Sequence, residues 1–443
     1  MFGTSGIRGI YGKEVNAELA LKVGNAIGRT NRKIVLAYDT RQTSPILAES
    51  LAAGAMQAGC SVIDIGICPT PMLAYACMVE DCDGAMITAS HNPPEYNGIK
   101  LFCRGMEYSK EKEGEVEAAV GVGERNADWR EAGQKTNVDY AGQYLKYLLE
   151  KADVERIRQR KPKVLVDAGN AAAYKIGPAV LEAAGCSVVR QFCDEPGSFK
   201  RNLEPNPSTL SQAALAVKIH KCDFGIAFDG DGDRAIAIDG NGEVLALDAQ
   251  LSLFCAYFIG RSKQKKPKIV TTVEASLAVR ETVEQMGGQI EITPVGSLHV
   301  AEAVKKHEAV FGGEPCGEYM YPFATPCAEG ILSALLMAQI FAEKGGFAYP
   351  KTTETFIDRR KYKCAPEKKA EVMQAIAQKP QLEGKLSTVD GLRYDFKDGW
   401  MLIRPSGTEP AIRLTCEAKS QKRLSELVQR AEKIILEEIH KRH

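Results

Sequence analysis

A chain of 443 residues is too long for one hydrophobic core and implies three or four domains. Its 57 basic side chains balance 57 acidic ones, so no net field directs it to nucleic acid or to an anionic membrane. No apolar run is long enough to cross a bilayer and no signal-like segment precedes Gly3, so a cytoplasmic protein without nucleic-acid or membrane partners is expected.

The 13 cysteines are odd in number and form no C-x-x-C pair. Cys60 and Cys186 sit in apolar surroundings, where a free thiol packs as a small hydrophobe, and a reducing compartment follows. The six histidines show no metal-ligand spacing.

In chain order, a repeated unit emerges. Lys33-Ile34-Val35-Leu36, Lys163-Val164-Leu165-Val166 and Lys268-Ile269-Val270-Thr271 each read as a strand, followed by a helical stretch, a glycine (Gly59, Gly185, Gly287) and a second strand. Continuous apolar strands alternating with helices predict parallel sheets covered on both faces. Each unit then offers a further strand ending in a polar loop, at 84–93, 225–234 and 309–319. Ligands of open α/β sheets bind beyond the carboxyl ends of strands, so all three loops are candidates for one site. From about Lys361 the pattern changes to a charged helix, the strands GLRYDF and GWMLIRPSG around Lys397-Asp398-Gly399, the strand AIRLTCEA and an amphipathic C-terminal helix. That predicts a small α+β domain with an antiparallel sheet. The predicted domains are 1–152, 153–252, 253–360 and 361–443.

Four loops carry candidate chemistry, and so does the start of the chain. In Asp229-Gly230-Asp231-Gly232-Asp233-Arg234, glycines allow three carboxylates to converge, which requires a cation. All-oxygen ligands suit magnesium. An EF-hand is excluded, because its twelfth loop position would be Gly240 rather than glutamate. Thr88-Ala89-Ser90-His91-Asn92-Pro93 places Ser90 at a strand-to-loop corner, where a serine is commonly just a turn residue or cap. Asn97-Gly98-Ile99-Lys100 can return Lys100 to the same place, and no G-x-S-x-G surrounds the serine. Arg404-Pro405-Ser406-Gly407-Thr408-Glu409-Pro410, with Arg413 nearby, suits a phosphate, although a turn bearing a surface arginine is the plainer alternative. Glu314 and Glu318, flanking Cys316, suit sugar hydroxyls or an amine, and Arg8 in the opening loop is a further phosphate contact.

Together GTSGIRG (3–9), TASHNP (88–93), NGIK (97–100), DGDGDR (229–234), GEPCGE (313–318) and RPSGTEP (404–410) resemble the α-D-phosphohexomutase superfamily across essentially the whole chain. That superfamily includes phosphoglucomutases, phosphomannomutases and phosphoglucosamine mutases. The resemblance implies three related mixed α/β domains and a C-terminal α+β domain around a central cleft. It implies Ser90 as a phosphoserine, and one Mg2+ per chain held by Asp229, Asp231, Asp233 and a Ser90 phosphate oxygen. Lys100 resembles the general acid/base, with His91, Arg8 and Arg234 supporting the reacting group. Arg404, Ser406, Gly407 and Thr408 resemble the site for the idle phosphate. Glu314, Cys316 and Glu318 occupy the sugar-recognition loop.

That loop departs from a common family pattern, since serine and histidine often stand where Cys316 and Glu318 stand here. A carboxylate can pair with an ammonium, and the loop resembles that of archaeal-type phosphoglucosamine mutases. Interconversion of glucosamine 6-phosphate and glucosamine 1-phosphate through a 1,6-bisphosphate, intermediate and activator at once, is therefore expected of a monomer or homodimer. Glucose or mannose phosphate is the alternative sugar. A metal-dependent phosphatase or an inactive sugar-phosphate-binding protein is the alternative class. Lys100 should have a lowered pKa to accept a hydroxyl proton.

Overall fold

The computed structural model describes residues 1–3, 5–379, 384–406 and 410–441. Two compact units divide the chain, residues 1–250 with 316–348, and 251–315 with 349–443.

In the first unit, Lys33–Tyr38 lies parallel to Ser61–Ile67 on one side and to Asp83–Ile87 on the other. Tyr96–Cys103 then returns antiparallel to Asp83–Ile87, and Ile7–Ile10 runs antiparallel to Tyr96–Cys103. A second sheet repeats the plan, with Lys163–Asp167 between the parallel strands Ser187–Gln191 and Phe224–Phe228 and with Ala235–Asp239 antiparallel at one edge. The second unit holds a third version, in which Lys268–Thr272 lies between Gln289–Thr293 and Phe311–Gly313, again parallel. Each heading lysine pairs with the first residue of the second strand, as Lys33↔Ser61, Lys163↔Ser187 and Lys268↔Gln289. The repeat seen in the sequence is thus one of register as well as of composition.

Val35, Leu165 and Val270 are fully buried, because helices cover the sheets and leave only strand ends for loops. Helix Ala17–Gly28 shows the local logic, since Asn16 caps it by accepting from the Leu19 N–H at 2.8 Å. It packs against Ser44–Gln57, whose first turn tolerates Pro45.

The C-terminal sheet of the second unit is wholly antiparallel, in the order Phe356–Lys363, Ala411–Ala418, Gly399–Pro405, Leu392–Phe396, Lys385–Ser387. Helix Gln421–His440 lays Leu424, Leu427, Val428, Ala431 and Ile435 against it, behind a Ser420 cap. The strand Phe356–Lys363 has no counterpart among the predicted elements. Its sequence FIDRRKYK is charged because it is an edge strand with several exposed side chains. All 13 cysteines are free, and most are buried. Among the described residues no helix is long and apolar enough to cross a membrane.

Helix Gly330–Lys344 is buried from Gly330 to Phe341, and its N-cap is the fully buried Glu329. The Glu329 carboxylate accepts from the Tyr144 hydroxyl (2.7 Å), the Thr325 hydroxyl (3.2 Å) and the Leu332 N–H (3.2 Å). Burial outweighs these bonds and raises its pKa from 4.5 to about 7. Between those two values the folded state holds a proton that the unfolded state releases, so stability falls as pH rises from 4.5 towards 7. The stability difference between wild type and Glu329→Gln should therefore change by about 3 kcal/mol between pH 5 and 8, to the wild type's disadvantage. Urea unfolding at the two pH values reads this directly. A difference that does not move would mean that Glu329 titrates as an ordinary carboxylate.

Candidate active site

Strand Asp83–Ile87 delivers Thr88, Ala89 and Ser90 into the interior of the first unit, where Ser90 is 1% exposed and adopts φ +49°. The chain turns through Asn92 and Pro93 and comes back as Tyr96–Cys103, with Lys100 paired opposite Met86. Strand Ile7–Ile10 sets Arg8 opposite Gly98, two residues from Lys100. The NGIK segment thus runs back along the strand that leads into the serine loop.

From the second sheet, Phe224–Phe228 ends in the aspartate loop. Gly230 is required there, because a Cβ at that position would lie 2.0 Å from the Ser90 carbonyl oxygen. With the loops in contact, the Ser90 hydroxyl donates to Asp229 Oδ2 at 2.9 Å. Asp229 Oδ1 accepts from the Gly232 and Arg234 N–H groups, at 3.0 and 3.3 Å. Lys100 Nζ donates to Asp231 Oδ2 (2.8 Å) and Asp233 Oδ2 (3.0 Å), and Asp231 Oδ2 also accepts from the Thr70 hydroxyl (2.7 Å).

Burial and the neighbouring Asp233 and Asp231 push Asp229 well above the carboxylate range. Burial also raises Asp233, to about 7, with Asp231 adding to it. At Asp231 burial is outweighed by Lys100 and by the Thr70 hydrogen bond, and the pKa falls. Burial alone would lower Lys100, yet Asp231 and Asp233 reverse the sign and its pKa is raised. The expectation of a lowered Lys100 pKa is therefore corrected, because two carboxylates lie against Nζ. His91 lies 3.4 Å from the Ser90 hydroxyl, and burial with Arg234 and Arg8 depresses its pKa to about 2, leaving a neutral ring.

Arg234 spans two carboxylates, reaching Glu318 Oε1 at 2.8 Å and Glu204 Oε1 at 3.2 Å. Glu204 also lies 3.3 Å from His91 Nε2. Arg8 Nη1 donates to Asn92 Oδ1 at 3.4 Å, while its buried Nε has no hydrogen-bond partner among the described residues. Half-buried Cys316 acts on Arg234 electrostatically. Ser90, His91, Lys100, Arg8, the three aspartates, Arg234 and Glu318 thus all belong to the first unit, on or around its serine and aspartate loops.

Glu314, Arg404, Ser406 and Arg413 belong to the second unit. Glu314 is buried and accepts from the Gly296 N–H at 3.2 Å. Arg404 and Arg413 are paired in register on neighbouring strands. The Arg404 guanidinium is engaged by Glu274 (3.1 Å) and Asp390 (2.9 Å). Ser406 donates its N–H to Ala411 O at 2.9 Å, and Gly407 and Thr408 lie outside the described residues.

Four family models match nearly the whole chain. They are the phosphoglucomutase/phosphomannomutase alpha/beta/alpha domains I, II and III, over residues 1–126, 142–242 and 247–359, and the C-terminal domain over 361–434. The chain belongs to the phosphoglucomutase/phosphomannomutase family. Among curated members, it is 38% identical over 450 residues to a probable phosphoglucosamine mutase of Pyrococcus abyssi, covering 99% of this chain and 98% of that one. A probable phosphoglucosamine mutase of Methanosphaera stadtmanae is 37% identical over 449 residues, covering 96% of each. A crystal structure of a phosphoglucomutase/phosphomannomutase family protein from Burkholderia thailandensis superposes with a TM-score of 0.87 at 25% identity, over 99% of this chain and 97% of that one. A putative phosphomannomutase from Thermus thermophilus shares the fold, with a TM-score of 0.82 at 24% identity over 98% of each.

The family's magnesium fits this donor set. One ligand atom from each of Asp229, Asp231 and Asp233 lies within 4.8 Å of the others. Asp231 Oδ1 and Asp233 Oδ1 are buried without any hydrogen-bond partner among the described residues, a costly state that a hard cation would relieve.

Some participants carry no signal in the sequence. Glu204 lies in an unremarkable loop and Thr70 opens helix Thr70–Glu80, and both matter only through the tertiary contacts to Arg234 and Asp231. Asp39 and Arg41 had a positional cue, since they follow the carboxyl end of Lys33–Tyr38.

Proposed function

We propose that the protein is a phosphoglucosamine mutase, interconverting glucosamine 6-phosphate and glucosamine 1-phosphate through phosphorylated Ser90 and an enzyme-bound 1,6-bisphosphate. The observation that carries this reading is the Ser90 hydroxyl held 2.9 Å from Asp229, beside two further carboxylates bridged by Lys100. A hydroxyl aimed at a cation-demanding cluster suits a phosphoryl carrier. Relatives named phosphoglucosamine mutase, 36–38% identical, support the amino sugar.

Magnesium on Asp229, Asp231, Asp233 and a Ser90 phosphate oxygen would neutralise charge on the moving phosphoryl group. Arg8, Arg234 and neutral His91 orient that group, and Lys100, kept cationic by Asp231 and Asp233, gives a proton to the sugar oxygen as the phosphoryl group leaves it. Arg404, Ser406, Gly407, Thr408 and Arg413 hold the phosphate that stays behind. Glu314, Cys316 and Glu318 read the sugar, with Arg234 fixing one oxygen of Glu318 so that the carboxylate faces the amine in a defined pose. The bisphosphate turns over before its second phosphate returns to Ser90. The enzyme works in the cytoplasm as a monomer or homodimer, with its four parts divided near residues 152, 252 and 360.

Glucosamine, glucose and mannose phosphates compared at equal concentration test the reading. The kcat/KM for glucosamine phosphate should exceed the others by about 10-fold or more, since an ammonium gives Glu318 a second charge partner beside Arg234 that a hydroxyl does not. Equal values would overturn the sugar assignment. Inorganic phosphate released at the turnover rate would replace the mutase with a phosphatase.

A further inference from the structure

We propose that Arg41 is the positioning residue of the serine loop, fixing the backbone so that Ser90 Oγ meets Asp229, and that it does not itself bind phosphate. This rests on Ser90 being the phosphoryl carrier.

Arg41 is 1% exposed, and each of its five N–H donors has an acceptor. Nε donates to Asp39 Oδ2 at 3.0 Å. Nη1 donates to the carbonyls of Pro93 (2.6 Å) and Tyr96 (3.0 Å), and Nη2 to those of Ser90 (2.8 Å) and Asn92 (2.7 Å). One planar group therefore clamps four carbonyls of the loop that runs from Ser90 back to the Lys100 strand. The Phe199 ring, 5.9 Å away, covers the guanidinium. No donor is left for a phosphate oxygen.

Asp39 ties this clamp to the serine amide. Its Oδ1 accepts from the Ser44 hydroxyl (2.6 Å) and the Arg41 N–H (3.0 Å), and its Oδ2 accepts from the Thr88 hydroxyl (2.7 Å). Thr88 Oγ1 in turn accepts from the Ser90 N–H at 2.9 Å. Ser90 is thus gripped by both its N–H and its carbonyl. That grip matters because φ +49° is unfavourable for a residue with a Cβ and persists only where its surroundings hold it. Lysine, with three donors around a single nitrogen, cannot span the same acceptors.

Two variants of the full chain test the proposal, Arg41→Lys and Thr88→Val, each assayed for kcat, KM, melting temperature and phosphate uptake at Ser90 from a hexose 1,6-bisphosphate. Arg41→Lys should lose about 100-fold in kcat and in the rate of Ser90 phosphorylation, with KM within about threefold of wild type, because a misplaced nucleophile slows transfer without weakening ground-state binding. Thr88→Val, which cuts the Thr88 hydroxyl's bonds to Asp39 and to the Ser90 N–H but leaves the Arg41 guanidinium contacts in place, should lose about 10-fold in kcat at a near-native melting temperature. A folded Arg41→Lys with wild-type kcat overturns the proposal. So does a raised KM at unchanged kcat, which would make Arg41 a phosphate ligand. If Arg41→Lys does not fold, Thr88→Val decides alone, and an unchanged kcat in it overturns the proposal. Failure of the serine mechanism itself is distinguishable, since only that would leave Ser90→Ala active.

Discussion

Replacing Ser90 with alanine should lower mutase turnover by about 10⁴-fold or more while the protein stays folded, because the residue that would carry the phosphoryl group is gone and no second hydroxyl takes its place. The side chain meets Asp229 Oδ2 and His91, so its structural contribution is small. Losing one such bond costs about 1 kcal/mol, too little to unfold a chain with buried cores in both units. The clamp on the loop acts through backbone atoms of Ser90 and survives the substitution. The variant should therefore keep its melting temperature, still bind sugar phosphate, and yield no phosphopeptide from the 88–93 segment. Turnover above about 1% of wild type in a folded Ser90→Ala protein would sink the carrier mechanism, since loss of a nucleophile leaves only residual catalysis.

The fold was open to reading because its repeat is local. Lys33, Lys163 and Lys268 each head a strand of apolar residues, and the strands that follow pair with them in the same register. Loop identity was legible for a related reason, since glycines and charges at strand ends have few structural explanations. What stayed hidden depends on contacts distant in sequence. Glu204 reaches Arg234 from 30 residues away, and Thr70 reaches Asp231 across 161. The strand Phe356–Lys363 hides behind charges that an edge position tolerates. The sign of the Lys100 shift was unreadable as well. It depends on whether arginines or aspartates stand closest to Nζ, and the aspartates do, at 2.8 and 3.0 Å.

That last point has the larger energetic consequence. Lys100 is 2% exposed and sits against Asp231 and Asp233, which are themselves buried with Asp229. Lys100→Met keeps the length of the side chain and removes its charge, leaving three carboxylates within 4.8 Å of one another in a dry site. Breaking a buried ion pair from one side costs about 3–5 kcal/mol, because the remaining charge has neither water nor partner. In chelator the variant should lose about that much stability by urea unfolding, with proton uptake by a carboxylate limiting the loss. Millimolar magnesium should return most of it, since the cation takes over the neutralising role and binds only the folded site. Wild-type protein in chelator should instead stay folded and lose turnover, because Lys100 already offsets part of the negative charge. Turnover of Lys100→Met should remain about 10²–10⁴-fold below wild type even with magnesium restored, as neutralisation does not replace the proton exchange. A variant as stable as wild type in chelator would mean that Lys100 does not offset the charge of Asp231 and Asp233 in the folded protein, and the ion-pair account of the site would fail.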